Sequence, residues 1–107
     1  MENSVAKKLK NAVLGRGYDL SVAFLTSAKM RAVTLRTKKK NKVSNVLSFP
    51  LSKTSGEILI CKAAAKPYSV EFLFIHGLLH LKGLKHGAIM EGEESRLLKR
   101  FGFARNG

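Results

Sequence analysis

The chain has few acidic residues, a single cysteine and no long apolar run. Its 107 residues include 20 Lys or Arg against 7 Asp or Glu, which gives a formal net charge of +13. One cysteine excludes an internal disulfide and fits a reducing compartment. No stretch approaches the ~20 apolar residues that cross a bilayer, and the N-terminus lacks the apolar core of a signal peptide. We therefore expect a cytoplasmic protein with no membrane partner.

The excess of positive charge indicates a polyanionic partner. A strongly cationic surface repels itself and attracts polyanions, so nucleic acid is the leading partner class. The alternative is a basic, highly soluble protein whose charge serves no specific partner. With 45% apolar residues, the chain can bury one core, and disorder of the whole chain is excluded. We expect one domain over residues 1–107, as a monomer.

All three histidines of the chain lie in one window, residues 72–87, FLFIHGLLHLKGLKHG. The apolar run around them predicts a buried helix, in which His76 and His80 lie on the same face because they are four residues apart. Gly83 can end that helix in a left-handed turn. The chain can then double back and bring His86 to the same point. The spacing H-x3-H-x2-G-x2-H is that of the long zincin motif.

Three imidazoles aimed at one point predict a metal site. They offer three nitrogens and leave a fourth position free, which is the arrangement of a catalytic zinc. The pattern does not specify the metal, because imidazole suits zinc, copper, iron and nickel alike. Two alternatives stay open, namely core histidines without a metal and a structural zinc with Cys61 as its fourth ligand. Cys61 lies in an apolar run, where a buried thiol is the ordinary case.

The residue after the first histidine separates two kinds of hydrolase. Zinc held by imidazoles can activate water and polarise a carbonyl or a phosphoryl oxygen, so the motif permits peptide or phosphodiester hydrolysis. In the H-E-x-x-H proteases this residue is the glutamate general base, whereas here it is Gly77, which carries no proton. The cationic surface also favours a nucleic-acid substrate. Phosphodiester hydrolysis is thus the better interpretation, and a metalloprotease is the weaker one.

A run of positive charge lies between the N-terminal part of the chain and its centre. Five of the seven residues in RTKKKNK (36–42) are Lys or Arg. Such a run is either a solvated loop or an arm that contacts phosphates beside the active site. No aromatic residues are interleaved, so a base-stacking platform of the RRM or OB type is not supported. The candidate RNA contacts are Lys38, Lys39, Lys40 and Lys42.

The remaining patterns predict an α+β fold. Alternating or apolar β-type runs predict strands at residues 20–26, 43–50 and 57–61. Helices are predicted at residues 4–14, from Ser27 to about Val33, after Ser69, and at residues 91–103. Ser4 and Ser69 are the expected caps of two of these helices, and Pro50 is expected to stop the second strand. The order predicts a small mixed sheet covered by helices, with the metal site on a central helix.

Three segments resemble the YbeY family of bacterial metallo-endoribonucleases. HGLLHLKGLKH (76–86) is similar to the family signature HGxLHLxGxDH. SNVLSFP (44–50) is similar to its T-[DN]-V-L-S-F-P segment, and GEILIC (56–61) to its G-D-I-x-I-C strand. Their order and approximate spacing also match, so the resemblance covers roughly residues 28–87. We identify the chain as a short and divergent member of that family.

The resemblance implies a zinc-dependent endoribonuclease specific for single strands, which acts in 16S rRNA 3′-end processing and ribosome quality control. It implies an α+β fold with the metal in a basic cleft, ligated by His76, His80 and His86. The implied partners are ribosomal RNA and the small ribosomal subunit. The family's arginine, six positions before the Thr of its second segment, falls on Lys38, with Arg36 as the alternative catalytic residue. Lysine keeps the charge but loses the planar fork that grips phosphate in two places.

Two departures from the family pattern leave a second function open. Lys85 replaces the acid before the third histidine, and a lysine cannot orient a ligand imidazole as a carboxylate does. Lys38 stands in the arginine position. The alternative is therefore a non-catalytic factor that binds rRNA or the ribosome and keeps a structural metal. Such a metal is expected to have a fourth protein ligand, whereas a catalytic metal leaves that position to water or substrate.

Overall fold

The computed structural model covers residues 1–107 and places one apolar helix, Val70–Lys82, at the centre of the fold. The elements follow the predicted order of helix, strand, helix, two strands and two helices. They are α1 (Asn3–Leu14), β1 (Asp19–Phe24), α2 (Ser27–Lys38), β2 (Val46–Ser52), β3 (Ser55–Ile60), a 3-10 turn (Lys62–Ala64), α3 (Val70–Lys82) and α4 (Ala88–Phe101). The predicted α+β class is confirmed.

The three strands form a mixed sheet in the order β1-β3-β2. β1 is parallel to the central strand β3, and β2 is antiparallel to it. β2 is an edge strand, and an edge strand accommodates a residue without an N–H. Pro50 therefore lies within β2, opposite Gly56, and the prediction that it stops the strand is wrong. β2 begins at Val46 rather than at residue 43 and continues to Ser52.

α3 is buried because β2, β3, α1 and α4 all contact it. Ser69 caps its first turn as predicted, since the Ser69 hydroxyl accepts a hydrogen bond from the Phe72 N–H at 3.0 Å. A helix that is apolar on nearly all sides belongs to a core. Phe74, Ile75 and Leu78 are accordingly inaccessible to solvent. No helix of the protein combines the length and the apolar character that crossing a membrane requires.

α3 approaches the sheet closely at Gly77. The Ser48 hydroxyl donates a hydrogen bond to the Gly77 carbonyl at 3.2 Å. A β-carbon at residue 77 would lie 3.0 Å from the Ser48 Oγ and 3.1 Å from side-chain carbons of Ile58. Gly77 therefore faces the sheet, where an added methyl group would press tightly against Ser48 and Ile58.

Several predicted helix boundaries differ from those observed. α1 has no side-chain cap, so the expected cap at Ser4 is wrong, and α4 begins three residues earlier than predicted. α2 is capped by Thr26 instead of Ser27 and continues to Lys38. The first part of the cationic run thus forms the last turn of a helix, where positive charge complements the helix dipole.

Candidate metal centre

The three histidines converge on one point at the C-terminal end of α3. The Nε2 atoms of His76 and His80 are 3.0 Å apart, because the two residues lie one helical turn apart on the same face. One ring nitrogen from each histidine, His86 included, lies within 4.8 Å of the others. In a tetrahedral zinc site with Zn–N bonds of ~2.0–2.1 Å, the ligand nitrogens are about 3.3 Å apart. The predicted clustering of the three histidines is confirmed, and its dimensions fit a metal ion.

The turn at Gly83 brings His86 back to the other two histidines. Gly83 has the left-handed conformation (φ 103°), and its N–H donates to the His80 carbonyl at 3.0 Å. The N–H of Leu84 donates to the Leu79 carbonyl at 3.0 Å, which is the closing bond of a Schellman turn. The sequence prediction of a glycine turn that reverses the chain is confirmed.

Hydrogen bonds to the outer ring nitrogens orient two of the imidazoles. His76 donates from Nδ1 to Oε2 of Glu94 at 2.6 Å, and His80 donates from Nδ1 to the Leu84 carbonyl at 3.1 Å. With both Nδ1 atoms protonated, each neutral ring presents the lone pair of its Nε2 to the shared point. The chain therefore holds these two rings in the tautomer that binds a metal.

Glu94 orients His76, a contact that the sequence motifs did not predict. The acid expected beside the third histidine is replaced by Lys85, and the carboxylate is supplied by α4. Glu94 is only 3% exposed, and a guanidinium nitrogen of Arg105 lies 3.8 Å from its other oxygen. A signal in the sequence could have found it, because Glu94 interrupts the buried face of α4 that is otherwise formed by Met90, Leu97 and Leu98.

The surroundings of His80 favour its neutral form. Burial lowers the pKa of His80 below its ordinary value, and repulsion from the neighbouring imidazoles in their protonated forms lowers it further. The hydrogen bond to the Leu84 carbonyl and the charge of Glu94 act in the opposite direction. A neutral imidazole is the form that coordinates metals, so the net shift prepares His80 for this role.

Cys61 is not a ligand of this centre. Its side chain is fully buried, and its Sγ lies 3.9 Å from the Ser27 hydroxyl, in a separate apolar cluster with Met30 and Leu47. The group of side chains able to hold a metal consists of the three histidines alone. His86 is exposed, and the three histidines line a surface cleft, so the fourth side of the centre is open to solvent. The donor set thus fits a metal that keeps one position for water or substrate.

Lys38 lines the same cleft as the three histidines. This cavity, of about 490 Å³, has Lys38 and the first residues of β2 as its other walls. An adjoining cavity of about 440 Å³ is lined by Lys38, Lys40 and Lys42. Arg36 and Lys39 line neither cavity. The structure therefore places three of the five predicted basic residues along the approach to the metal centre.

Comparison with known proteins extends the resemblance to nearly the whole chain. The profile of the family described as Endoribonuclease YbeY matches residues 1–102. Endoribonuclease YbeY of Rubrobacter xylanophilus is 35% identical over 102 residues, which cover 85% of this chain and 75% of that protein. The protein of the same name from Finegoldia magna is 29% identical, covering 95% of this chain and 81% of its own. That of Campylobacter jejuni is 31% identical, covering 78% of this chain and 75% of that protein.

Proposed function

The chain belongs to the YbeY endoribonuclease family, and from this premise we propose that it is a metal-dependent endoribonuclease that cleaves ribosomal RNA. One observation carries the proposal, namely that three imidazole nitrogens converge in an open cleft that also contains a lysine. The metal is zinc, one ion per chain. By family resemblance, the substrate is single-stranded RNA at the 3′ end of 16S rRNA. From its length and composition, the protein is proposed to be a single-domain monomer of the cytoplasm.

The residues of the cleft divide into metal ligands and phosphate contacts. His76, His80 and His86 would hold the ion, and the hydrogen bond that His76 donates to Glu94 fixes the ring of His76. A zinc ion held by three imidazoles supplies a Lewis acid that polarises a phosphoryl oxygen and activates a nucleophile at neutral pH. Lys38 contributes the only cationic side chain in the wall of this cleft. It therefore contacts the phosphate at the metal centre and offsets the charge that develops there.

The neighbouring cations position the rest of the RNA strand. Lys40 and Lys42 line the adjoining cavity, which shares Lys38 with the metal cleft. A strand whose cleaved phosphate contacts Lys38 therefore has its next phosphates beside these lysines. Lys39 and Arg36 lie outside both cavities and add charge to the approach. These contacts are to phosphate and carry no base preference.

The alternative is a non-catalytic factor that binds rRNA or the ribosome and keeps a structural metal. It rests on Lys38 in the arginine position, because lysine lacks the bidentate grip of a guanidinium. The open fourth side of the centre supports the enzyme instead, since a structural zinc is closed by a fourth protein ligand.

The test combines elemental analysis with cleavage of a single-stranded rRNA fragment. We expect about one zinc per chain, and activity that is lost on chelation and restored by zinc. His80→Ala should abolish metal binding and cleavage together, whereas Ile89→Ala, an exposed position outside the cleft, should change neither. Cleavage by the metal-free protein would exclude the proposed chemistry. One zinc per chain without cleavage of any RNA would favour the binding factor.

A further inference from the structure

A third cavity, of about 320 Å³, also adjoins the metal cleft and has no role in the function proposed above. It is lined by Tyr68, Phe72, Arg105, Asn45 and Glu91, and we call it the aromatic cavity. It shares His76, His86, Asn45 and Val46 with the metal cleft. Anything bound at the histidines therefore lies at the mouth of the aromatic cavity.

The aromatic cavity contains two flat surfaces of the kind on which unpaired bases stack. The Tyr68 ring is 37% exposed and stacks on Phe72, with the ring centroids 4.9 Å apart. The Arg105 guanidinium lies 4.7 Å from the centroid of the same Phe72 ring and donates to the Ser95 hydroxyl at 3.2 Å. Aromatic rings and guanidinium planes are the usual platforms for single-stranded bases. Phe72 thus holds both platforms in place.

Polar groups in the same walls can contact the edge of a base. The Asn45 carbonyl accepts a hydrogen bond from Cys61 at 2.9 Å, which fixes its backbone. Asn45 is half-buried and lines the cavity, so its side-chain amide offers two donors and one acceptor to a ligand. Glu91 adds a carboxylate that accepts hydrogen bonds. Such groups bind the Watson–Crick edge of an unpaired base.

We propose that the aromatic cavity is a nucleobase subsite that takes one unpaired base of the RNA, next to the phosphate at the metal centre. The inference rests on the proposed function and specifies how its substrate binds. The volume lies at the lower end of the ~300–1,000 Å³ of small-molecule sites, which suits a single base. Insertion of a base into this cavity gives a physical reason for specificity towards single strands.

The test uses short single-stranded RNAs of one sequence, with an abasic nucleotide placed at successive positions around the cleaved bond. With the native protein, we expect one position at which the missing base lowers kcat/KM by roughly 5- to 150-fold, the range of base–aromatic stacking. Tyr68→Leu keeps an apolar contact with Phe72 but removes the ring. Tyr68→Leu should lower kcat/KM on intact RNA by a similar factor. On the RNA that lacks the base at that position, the native and Tyr68→Leu proteins should have similar values of kcat/KM.

Phe24→Leu is the matched control, because Phe24 is an exposed aromatic residue on β1 that lines none of these cavities. Arg105→Lys, which keeps the charge without the plane, tests the second platform. Zinc content is measured for every variant, since Arg105 lies near Glu94. The subsite would be rejected if both proteins cleaved RNA normally and an abasic nucleotide lowered kcat/KM equally for both at every position. The proposed endoribonuclease activity would remain supported by that result.

A binding experiment separates the two proposals. Fluorescence anisotropy measures the affinity of the metal-free, chelated protein for the same RNAs. If no RNA is cleaved, the proposed function fails, but the subsite still requires that one abasic position weakens binding to the native protein alone. Position-independent binding by both proteins would then overturn the subsite as well.

Discussion

At the scale of single residues, the spacing of the histidines predicted their convergence because the geometry is local. One helical turn and one glycine turn bring the three rings together, and both can be predicted from sequence. The partner of His76 could not be predicted in this way. Glu94 lies 18 residues further along the chain and reaches the ring only because α4 packs beside α3. A buried carboxylate on an apolar helix face was the available signal.

Replacing Glu94 by Gln should weaken zinc binding. The substitution removes the charged acceptor that fixes the His76 ring and its tautomer, and loss of such a partner typically costs 10- to 100-fold in metal affinity or activity. The measurement is a zinc dissociation constant from competition with a chromogenic chelator. Glu93→Gln is the control, because Glu93 is paired with Arg96 on the outside of α4. Equal affinities of the two variants would show that the Glu94 carboxylate does not support the site.

At the scale of elements, resemblance and pattern predicted which helices and strands exist, and packing decided where they end. Pro50 continues β2 because this strand lies at the edge of the sheet, which no local pattern reveals. α2 extends to Lys38. One turn before its end, the Thr34 hydroxyl donates a hydrogen bond to the Ser44 hydroxyl at 2.8 Å. This contact ties the helix to the segment before β2 and so brings Lys38 to the metal cleft.

Packing against the sheet explains the glycine at position 77 of the histidine motif. The absence of glutamate at this position was an argument against a protease, yet the position faces the sheet, as the contacts of a β-carbon with Ser48 and Ile58 indicate. A larger side chain there would collide with the core before it could act in the cleft. The glycine therefore suits the close contact between α3 and the sheet, whatever the type of hydrolase.

Alanine substitutions at two helical glycines should have different effects on stability. Gly92 lies on α4 with open space around it, so Gly92→Ala should raise the free energy of unfolding by about 0.5–1 kcal/mol through helix propensity. Gly77→Ala gains the same propensity but overpacks the contact with β2 and β3, which typically costs about 1–3 kcal/mol. Urea denaturation of both variants measures the difference. A Gly77→Ala protein as stable as the Gly92→Ala protein would mean that α3 moves away from the sheet without cost.

At the scale of the whole molecule, composition predicted a polyanionic partner but could not show where it binds. A net charge of +13 attracts RNA to every face, and only the fold distinguishes a lysine in the cleft from one on the far surface. Lys38 and Lys8 are both exposed lysines. The structure places Lys38 in the wall of the metal cleft and Lys8 on α1, away from it.

Salt dependence of RNA binding should separate these two lysines. Each phosphate contact with a single strand adds ~0.7 to the slope of log affinity against log salt concentration. We therefore expect Lys38→Ala to weaken binding and to reduce the magnitude of the slope by about 0.7. Lys8→Ala removes the same charge from the molecule and should leave the slope nearly unchanged. Binding is measured with chelated protein over a series of salt concentrations, so that the RNA stays intact. Equal slopes for the two variants would mean that RNA is attracted by the overall charge and that Lys38 makes no phosphate contact.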